Sequence, residues 1–335
     1  MCCIVERVQL TLKEINEQPE SALRVMEGRL YPNFVYFKEF EDLVDLLTTD
    51  HLILLGCGTS YFAGQYGLFF LKELCDFTTV QLFDSAEFSE LDLPKHGKTT
   101  LLLLSQSGET KELHRCMEIG RQHHLFLVGM INVEDSRIAR EVDAVCYLKA
   151  GRESYTSHVI CLALLSVWFA QQKDLNLSKR MQYLHDLQQL SQDIRTTLDA
   201  NLIDVSLFQN KRHCFLLGKG PAESVAKEGA RKIKEMSCLH CEGSSLKCGF
   251  SLEPFLVILI DSNQNKESQK AETAYEEIKA RHAPILWISS KPRPNSLWIA
   301  DNQTFGPLLS ILPLQQLAYH LSRSTDLPRN LAKLR

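Results

Sequence analysis

The sequence predicts an α/β protein of two similar domains, each a parallel sheet flanked by helices in a flavodoxin-like three-layer sandwich. Short apolar runs such as "HLILLG" and "LLLL" alternate with longer segments of helical spacing. Continuous apolar strands are typical of parallel sheets that helices cover on both faces. The pattern then restarts, because Leu52–Gly67 and Cys214–Gly229 each contain an apolar strand, a Gly-x-Gly turn and a helix. A chain of 335 residues is long enough for two such domains.

In the first half of the chain, apolar runs predict strands, and apolar residues spaced three and four apart predict helices. The strands are Leu52–Leu55, Val80–Phe83, Thr100–Leu104, Leu125–Ile131 and Ala144–Leu148, and the helices are Ala63–Leu74, Glu109–Gln122 and Ser154–Gln172. The last of these helices is apolar throughout. It is therefore the segment that the sequence offers for contact with a second subunit.

In the second half, the polar stretch Leu177–Ile203 predicts a linking helix, and strands are expected at Phe255–Ile260 and Ile285–Ile288. An amphipathic helix follows near the C-terminus, and Pro328 forces an extended exit from it. The predicted organisation is an N-terminal helical segment over residues 1–48, a first domain with linker helices over 49–200, and a second domain with a C-terminal tail over 201–335.

Composition and charge exclude several classes of function. A net charge of −4 favours neither nucleic acid nor an acidic membrane surface, and the apolar runs are far shorter than a membrane span. The first residues lack the basic and long apolar regions of a signal peptide. The eleven cysteines are an odd number and are scattered through apolar segments. They indicate reduced thiols, and we expect a cytoplasmic protein.

Two loops leave the carboxyl ends of predicted strands in the first domain. Gly56–Ser60 and Ser105–Thr110 both place small hydroxyl residues before a helix start, where free backbone N–H groups favour an anion. Ser, Thr and Gly are also favoured in caps and turns, so one loop alone would be ambiguous. There is neither a third glycine nor a Walker lysine to indicate a nucleotide. Together the two loops predict a site for a phosphate ester.

Four motifs, "CGTSY", "SQSGET", "KEGARKIKE" and "PRNLAK", resemble those of the SIS (sugar isomerase) domain proteins. With "KEINEQP" (Lys13–Pro19) they most resemble the isomerase half of the glucosamine-6-phosphate synthases, over nearly the whole chain. This resemblance implies two SIS domains, a homodimer and no cofactor or metal. It also implies that a hexose 6-phosphate contacts Thr59, Ser60, Ser105, Gln106, Ser107, Thr110, Ser157 and Ala332.

Glu228, Lys232 and Glu235 lie at positions i, i+4 and i+7 of one predicted helix and share a face. By themselves they are more typical of a solvated helix face with Glu–Lys pairs than of a catalytic site. The resemblance implies instead that Glu235 transfers a proton between C1 and C2 of the open-chain sugar, with Glu228 beside it and Lys232 as its partner. It also implies that the C-terminal tail closes over the site, where Lys333 forms an imine with the keto sugar.

The chain departs from the family where a ring-opening histidine is expected. Cys248 occupies that position in "SSLKCGF". Either spontaneous ring opening suffices, or His240 or His158 replaces the histidine. The nearby "CLHC" motif invites a zinc interpretation, but it has no second cysteine pair, so buried thiols are the preferred interpretation.

These observations predict an enzyme that interconverts fructose 6-phosphate and glucosamine 6-phosphate through an open-chain imine and enolamine. No segment resembles the glutaminase half of the family, so the amine would come from free ammonia or from a separate glutaminase. A glucosamine-6-phosphate deaminase and a deglycase of 6-phosphorylated sugar–amine adducts are alternatives. A non-catalytic sugar-phosphate sensor is the alternative from a different class.

Overall fold

The computed structural model describes residues 12–41, 44–149, 151, 154–237, 239–246, 255–261 and 265–323. They divide into two compact units: the first is Glu20–Gln188, and the second combines residues 189–323 with residues 12–19. The division falls between Gln188 and Gln189, within the long helix Leu177–Ala200. No helix among the described residues is long and apolar enough to cross a membrane.

The first unit contains a five-stranded parallel sheet in the order β2-β1-β3-β4-β5. Its strands are β1 (His51–Gly56), β2 (Thr79–Asp84), β3 (Thr99–Ser105), β4 (Phe126–Ile131) and β5 (Ala144–Tyr147). After α1 (residues 12–16), the helices are α2 (Gln18–Met26), α3 (Val44–Leu47), α4 (Thr59–Leu74), α5 (Lys111–Gln122), α6 (Arg137–Glu141), α7 (Ser154–Gln172) and α8 (Leu177–Ala200). Short 3₁₀ helices occur at Lys38–Phe40 and Glu90–Asp92.

The apolar runs become central strands because both faces of the sheet are covered. All residues of β3 are buried, and Leu101 and Leu103 on one of its faces pack with Leu113 and Met117 of α5. On α7, residues 154–170 are buried within the chain, and the helix packs against α4. The expectation that α7 offers a surface to a second subunit is therefore wrong, because its apolar side chains are already used inside one chain.

The second unit repeats this architecture with a parallel sheet in the order β10-β9-β8-β6-β7. Its strands are β6 (His213–Gly218), β7 (His240–Ser245), β8 (Leu256–Ile260), β9 (Ile285–Ser289) and β10 (Ser296–Trp298). The helices are α9 (Pro221–Met236), α10 (Asn265–Ala280), α11 (Gly306–Leu309) and α12 (Ile311–Arg323), with a 3₁₀ helix at Ser206–Phe208. Sequence patterns did not reveal β7 and β10, because β7 is half polar and β10 has three residues.

The two sheets have the same strand order, which confirms the predicted fold of two similar α/β domains. The first strand of each unit lies between the second and the third, so the chain leaves it in one direction and returns on the other side. Such a switch point opens a crevice at the carboxyl ends of the strands, where ligands bind in open α/β sheets. The turns there are alike, since Gly58 has φ 52° and ψ −123° and Gly220 has φ 63° and ψ −131°.

Candidate active site

The first predicted loop joins β1 to α4 at the switch point of the first unit. Gly58 adopts a backbone conformation that side chains disfavour, which lets the strand turn directly into the helix. Thr59 is the first residue of α4 and is partly exposed, whereas Ser60 is buried. The backbone N–H of Ser60 already donates to the carbonyl oxygen of Cys57 at 3.1 Å. Of the two hydroxyl residues in this loop, Thr59 is therefore the more exposed.

The second predicted loop, Ser105–Thr110, leaves the adjacent strand β3 at the same edge of the sheet. The buried Ser105 hydroxyl accepts the N–H of Gly108 at 2.9 Å and lies 3.0 Å from the Thr110 hydroxyl. Ser105 therefore shapes the loop from inside. Ser107 is exposed, and Gln106 and Thr110 are partly exposed. These three residues and Thr59 all follow the carboxyl ends of the neighbouring strands β1 and β3.

The Ser105–Thr110 loop is fixed to the start of α6 by contacts that sequence inspection did not anticipate. The carbonyl oxygen of Gly108 accepts the N–H of Ile138 at 3.2 Å, and Glu109 Oε1 accepts the N–H of Arg137 at 2.7 Å. Gly108 has φ +66°, and a Cβ there would overlap the side chain of Ser136. Glu109 thus helps to hold the loop against α6. An acidic residue beside a predicted anion site would not by itself suggest this role.

The end of β2 forms a third side of this region. The Cys57 thiol lies 2.6 Å from the Ser85 hydroxyl, and Asp84 Oδ1 accepts the N–H of Ala86 at 3.0 Å. Burial raises the pKa of Cys57, so the thiol stays protonated near neutral pH. Arg115 of α5 donates to the carbonyl oxygen of Ser85 at 2.9 Å. These contacts hold the end of β2 beside the first loop.

Ser157 and His158 lie in the first turns of α7 and are both buried. The Nδ1 atom of His158 is 2.9 Å from the carbonyl oxygen of Ser154, and burial lowers the pKa of the imidazole to about 4. His158 is therefore neutral near pH 7 and closed to solvent. This placement argues against His158 as a ring-opening acid, because a sugar could not reach it in this conformation.

In the second unit, Glu228, Lys232 and Glu235 project from α9 as a row of rising exposure. The side chains of Glu228, Lys232 and Glu235 are 0%, 18% and 47% exposed. Lys232 Nζ lies 3.9 Å from Glu228 Oε1, whereas Glu235 Oε1 is contacted by Arg231 Nη2 at 2.7 Å. The sequence did not single out Arg231. A helix that presents a half-exposed carboxylate beside a cation, with a second cation on the same face, can support proton transfer.

Five residues that the sequence analysis uses lie outside the described residues: Cys238, which is the first cysteine of "CLHC", Cys248, Pro328, Ala332 and Lys333. His240 is described and is exposed at the start of β7, where its Nδ1 lies 3.4 Å from Nδ1 of His213. That is the amino edge of the second sheet, opposite the edge at which ligands bind. Within the described part of the chain, no three His, Cys, Asp or Glu side chains converge on a metal site.

Comparison with known proteins adds the following similarities. Residues 45–171 match the SIS domain. A probable glutamine–fructose-6-phosphate aminotransferase (isomerizing) of Acanthamoeba polyphaga mimivirus is 39% identical over 97% of this chain and 57% of that protein. The Thermus thermophilus enzyme of the same name is 28% identical over 96% of this chain and 58% of its own length. The chain thus spans little more than half the length of the relatives it matches.

Solved structures show the same fold. The C-terminal domain of glucosamine-fructose-6-phosphate aminotransferase from Francisella tularensis matches with a TM-score of 0.82 at 22% identity, covering 93% of this chain and 95% of that one. A glucosamine-6-phosphate deaminase from Thermotoga maritima matches with a TM-score of 0.69 at 19% identity, covering 93% of each chain. At these identities the two structures support the fold and leave the reaction open.

Proposed function

Because this chain is an SIS-domain protein, we propose that it is a sugar-phosphate enzyme that interconverts fructose 6-phosphate and glucosamine 6-phosphate. The observation that carries the proposal is the presence, in one chain, of a hydroxyl-lined loop pair at a switch point and a helix whose half-exposed carboxylate is paired with a cation. The first feature suits a phosphate ester, and the second suits movement of a proton between neighbouring carbons. Similarity to aminotransferases over 97% of the chain supports the amino-sugar substrate.

In the proposed reaction, ammonia adds to the C2 carbonyl group of open-chain fructose 6-phosphate, and water leaves as the imine forms. Glu235 then removes a proton from C1 to give the enolamine, and returns it to C2 to give glucosamine 6-phosphate. Lys232 supplies positive charge on the same helix, which stabilises negative charge that develops on the substrate. Thr59, Gln106, Ser107 and Thr110 hold the phosphate, while the buried Ser105 keeps their loop in shape.

Proton NMR in heavy water tests this proposal directly. Purified protein is mixed with glucosamine 6-phosphate, and with fructose 6-phosphate plus ammonium chloride. We expect the other sugar to form in each case, with deuterium entering at the carbon that accepts the proton. Release of ammonia with no reverse reaction would favour a deaminase. Shifted sugar resonances without any product would refute the enzyme and favour a sugar-phosphate sensor.

The proposed base is tested by Glu235→Gln, which keeps the shape of the side chain and removes its basicity. Turnover should fall at least about 100-fold, the lower range for general acid–base catalysis, while substrate binding persists. Glu223→Gln is the matched control, since Glu223 lies on the same helix in an ion pair with Lys227 at 2.8 Å. Equal activity of both variants would refute the assignment of Glu235.

The phosphate site is tested by the double variant Ser107→Ala/Thr110→Ala. Its affinity for fructose 6-phosphate should fall more than its affinity for fructose, because only the former carries the anion. Calorimetric titration measures both affinities. Equal weakening for the two sugars would show that the loop does not bind the phosphate.

A further inference from the structure

We infer that Arg231 is a positioning residue that holds the carboxylate of Glu235 in place for proton transfer. This inference rests on the proposed function, and it assigns a role to a residue that neither the motifs nor the resemblance singled out. Its basis is a row of alternating charges along one face of α9, in which Arg231 joins the two glutamates.

The helix geometry places Arg231 between the two acids. It comes three residues after Glu228 and four before Glu235, and side chains at both spacings meet on a helix surface. The Nη1 atom of Arg231 lies 3.7 Å from Glu228 Oε2, and its Nη2 atom lies 2.7 Å from Glu235 Oε1. Lys232 approaches the other oxygen of Glu228 at 3.9 Å. The order of charges is therefore Lys232, Glu228, Arg231, Glu235.

The two glutamates that Arg231 contacts differ in burial. Glu228 is fully buried, so its carboxylate requires compensation by nearby cations. Glu235 is 47% exposed, and its flexible side chain could take many rotamers in solvent. A guanidinium group is planar and presents donors on two sides, so it can contact both acids at once. The buried carboxylate of Glu228 attracts Arg231 across 3.7 Å, and Arg231 in turn contacts Oε1 of Glu235 at 2.7 Å.

Fixing one oxygen leaves the other for the substrate. Proton transfer depends steeply on placement, and a displacement of about 1 Å can cost 10²-fold in rate. An exposed ion pair contributes only about 0–1 kcal/mol to stability. Loss of the guanidinium group should therefore lower the rate, and any loss of stability would come from the contact with the buried Glu228 and not from the exposed pair with Glu235. A purely structural ion pair would affect neither rate nor substrate affinity.

The experiment compares Arg231→Met and Arg231→Lys with the wild type in the NMR assay, and uses Lys227→Met as the control. Lys227 forms an ion pair on the same helix with Glu223, a residue outside the proposed machinery. We expect Arg231→Met to lower kcat roughly 10- to 100-fold with KM within about twofold. Arg231→Lys should recover part of the rate, and millimolar guanidinium should partly restore activity to Arg231→Ala. Lys227→Met should behave like the wild type.

A double variant separates the failure of this inference from the failure of the proposed function. In the Glu235→Gln background, Arg231→Met should cause no further loss, because the residue acts through Glu235. If Glu235→Gln is inactive and Arg231→Met retains the wild-type kcat, the positioning role is refuted and the proposed base stands. If Glu235→Gln retains full turnover, the base is wrong and the inference fails with it.

Discussion

Replacement of Gly108 by alanine tests whether the Ser105–Thr110 loop depends on its backbone. Gly108 has φ +66°, and a Cβ there would overlap the Ser136 side chain and lie 2.9 Å from Cγ2 of Ile131. Gly28 provides the control, because it lies in the same unit at φ +71° with no atom within 4 Å of an added Cβ. The two substitutions share the backbone strain and differ in the steric overlap.

The expected magnitudes follow from these two contributions. The left-handed conformation costs alanine about 1–2 kcal/mol relative to glycine at either position. The overlap at Gly108 adds roughly 1–3 kcal/mol, as for other insertions into packed regions. In a unit of this size, 1 kcal/mol corresponds to about 2–4 °C in Tm. Gly28→Ala should therefore lower Tm by a few degrees, and Gly108→Ala by clearly more.

Ligand affinity distinguishes the two variants further. The backbone of Gly108 is held by Ser105 on one side and by Ile138 on the other. Relief of the overlap must move this segment, so affinity for fructose 6-phosphate should fall at least about tenfold, or 1.4 kcal/mol. Gly28→Ala should bind normally. Thermal unfolding and calorimetric titration measure both effects, and equal losses in the two variants would refute the reasoning.

Three further predictions concern the first unit. Burial lowers the pKa of His158 to about 4, so on acidification the unfolded chain takes up the proton first. Between about pH 6.5 and 4, the free energy of unfolding of the wild type should fall by up to about 3 kcal/mol more than that of His158→Gln. Urea unfolding at a series of pH values measures this difference, and equal pH slopes for the two proteins would contradict the prediction. Gly67→Ala places a Cβ 2.5 Å from a side-chain atom of α7. It should lower the free energy of unfolding by about 1–3 kcal/mol, and an unchanged Tm would exclude the overlap. Ser105→Ala removes the hydroxyl that accepts the buried N–H of Gly108, so it should lower the free energy of unfolding by about 1–3 kcal/mol. Ser107 is exposed, so Ser107→Ala should have little effect. Similar Tm values for the two variants would contradict the structural role of Ser105.

Much of the fold could be predicted because its signals are local. The apolar runs of β1, β3 and β4 and the repeated Gly-x-Gly turn depend on neighbouring residues, and they appear in the structure within one or two positions of the predicted bounds. The missing strands were β7 and β10. These two segments have little apolar pattern of their own, and they form strands because they pair with β6 and β9, respectively.

The site was less predictable because it depends on which side chains meet. Residue type indicated the hydroxyl-rich loop, but it could not show that Ser105 points inward while Ser107 is exposed. The helix face of α9 was visible as a spacing, yet the choice between Arg231 and Lys232 as the cation beside Glu235 depends on side-chain geometry. The burial of His158 likewise follows from the packing of α7.

The repeated turn at Gly58 and Gly220 has a consequence for how such a chain can change over generations. The residue after the first glycine is Thr59, which keeps its N–H and adds a hydroxyl, whereas the residue after the second is Pro221, which has neither. The backbone is the same in both copies. A repeated scaffold of this kind keeps the geometry of its turn while the side chains at equivalent positions differ in chemistry, so the two units can present different groups from the same backbone.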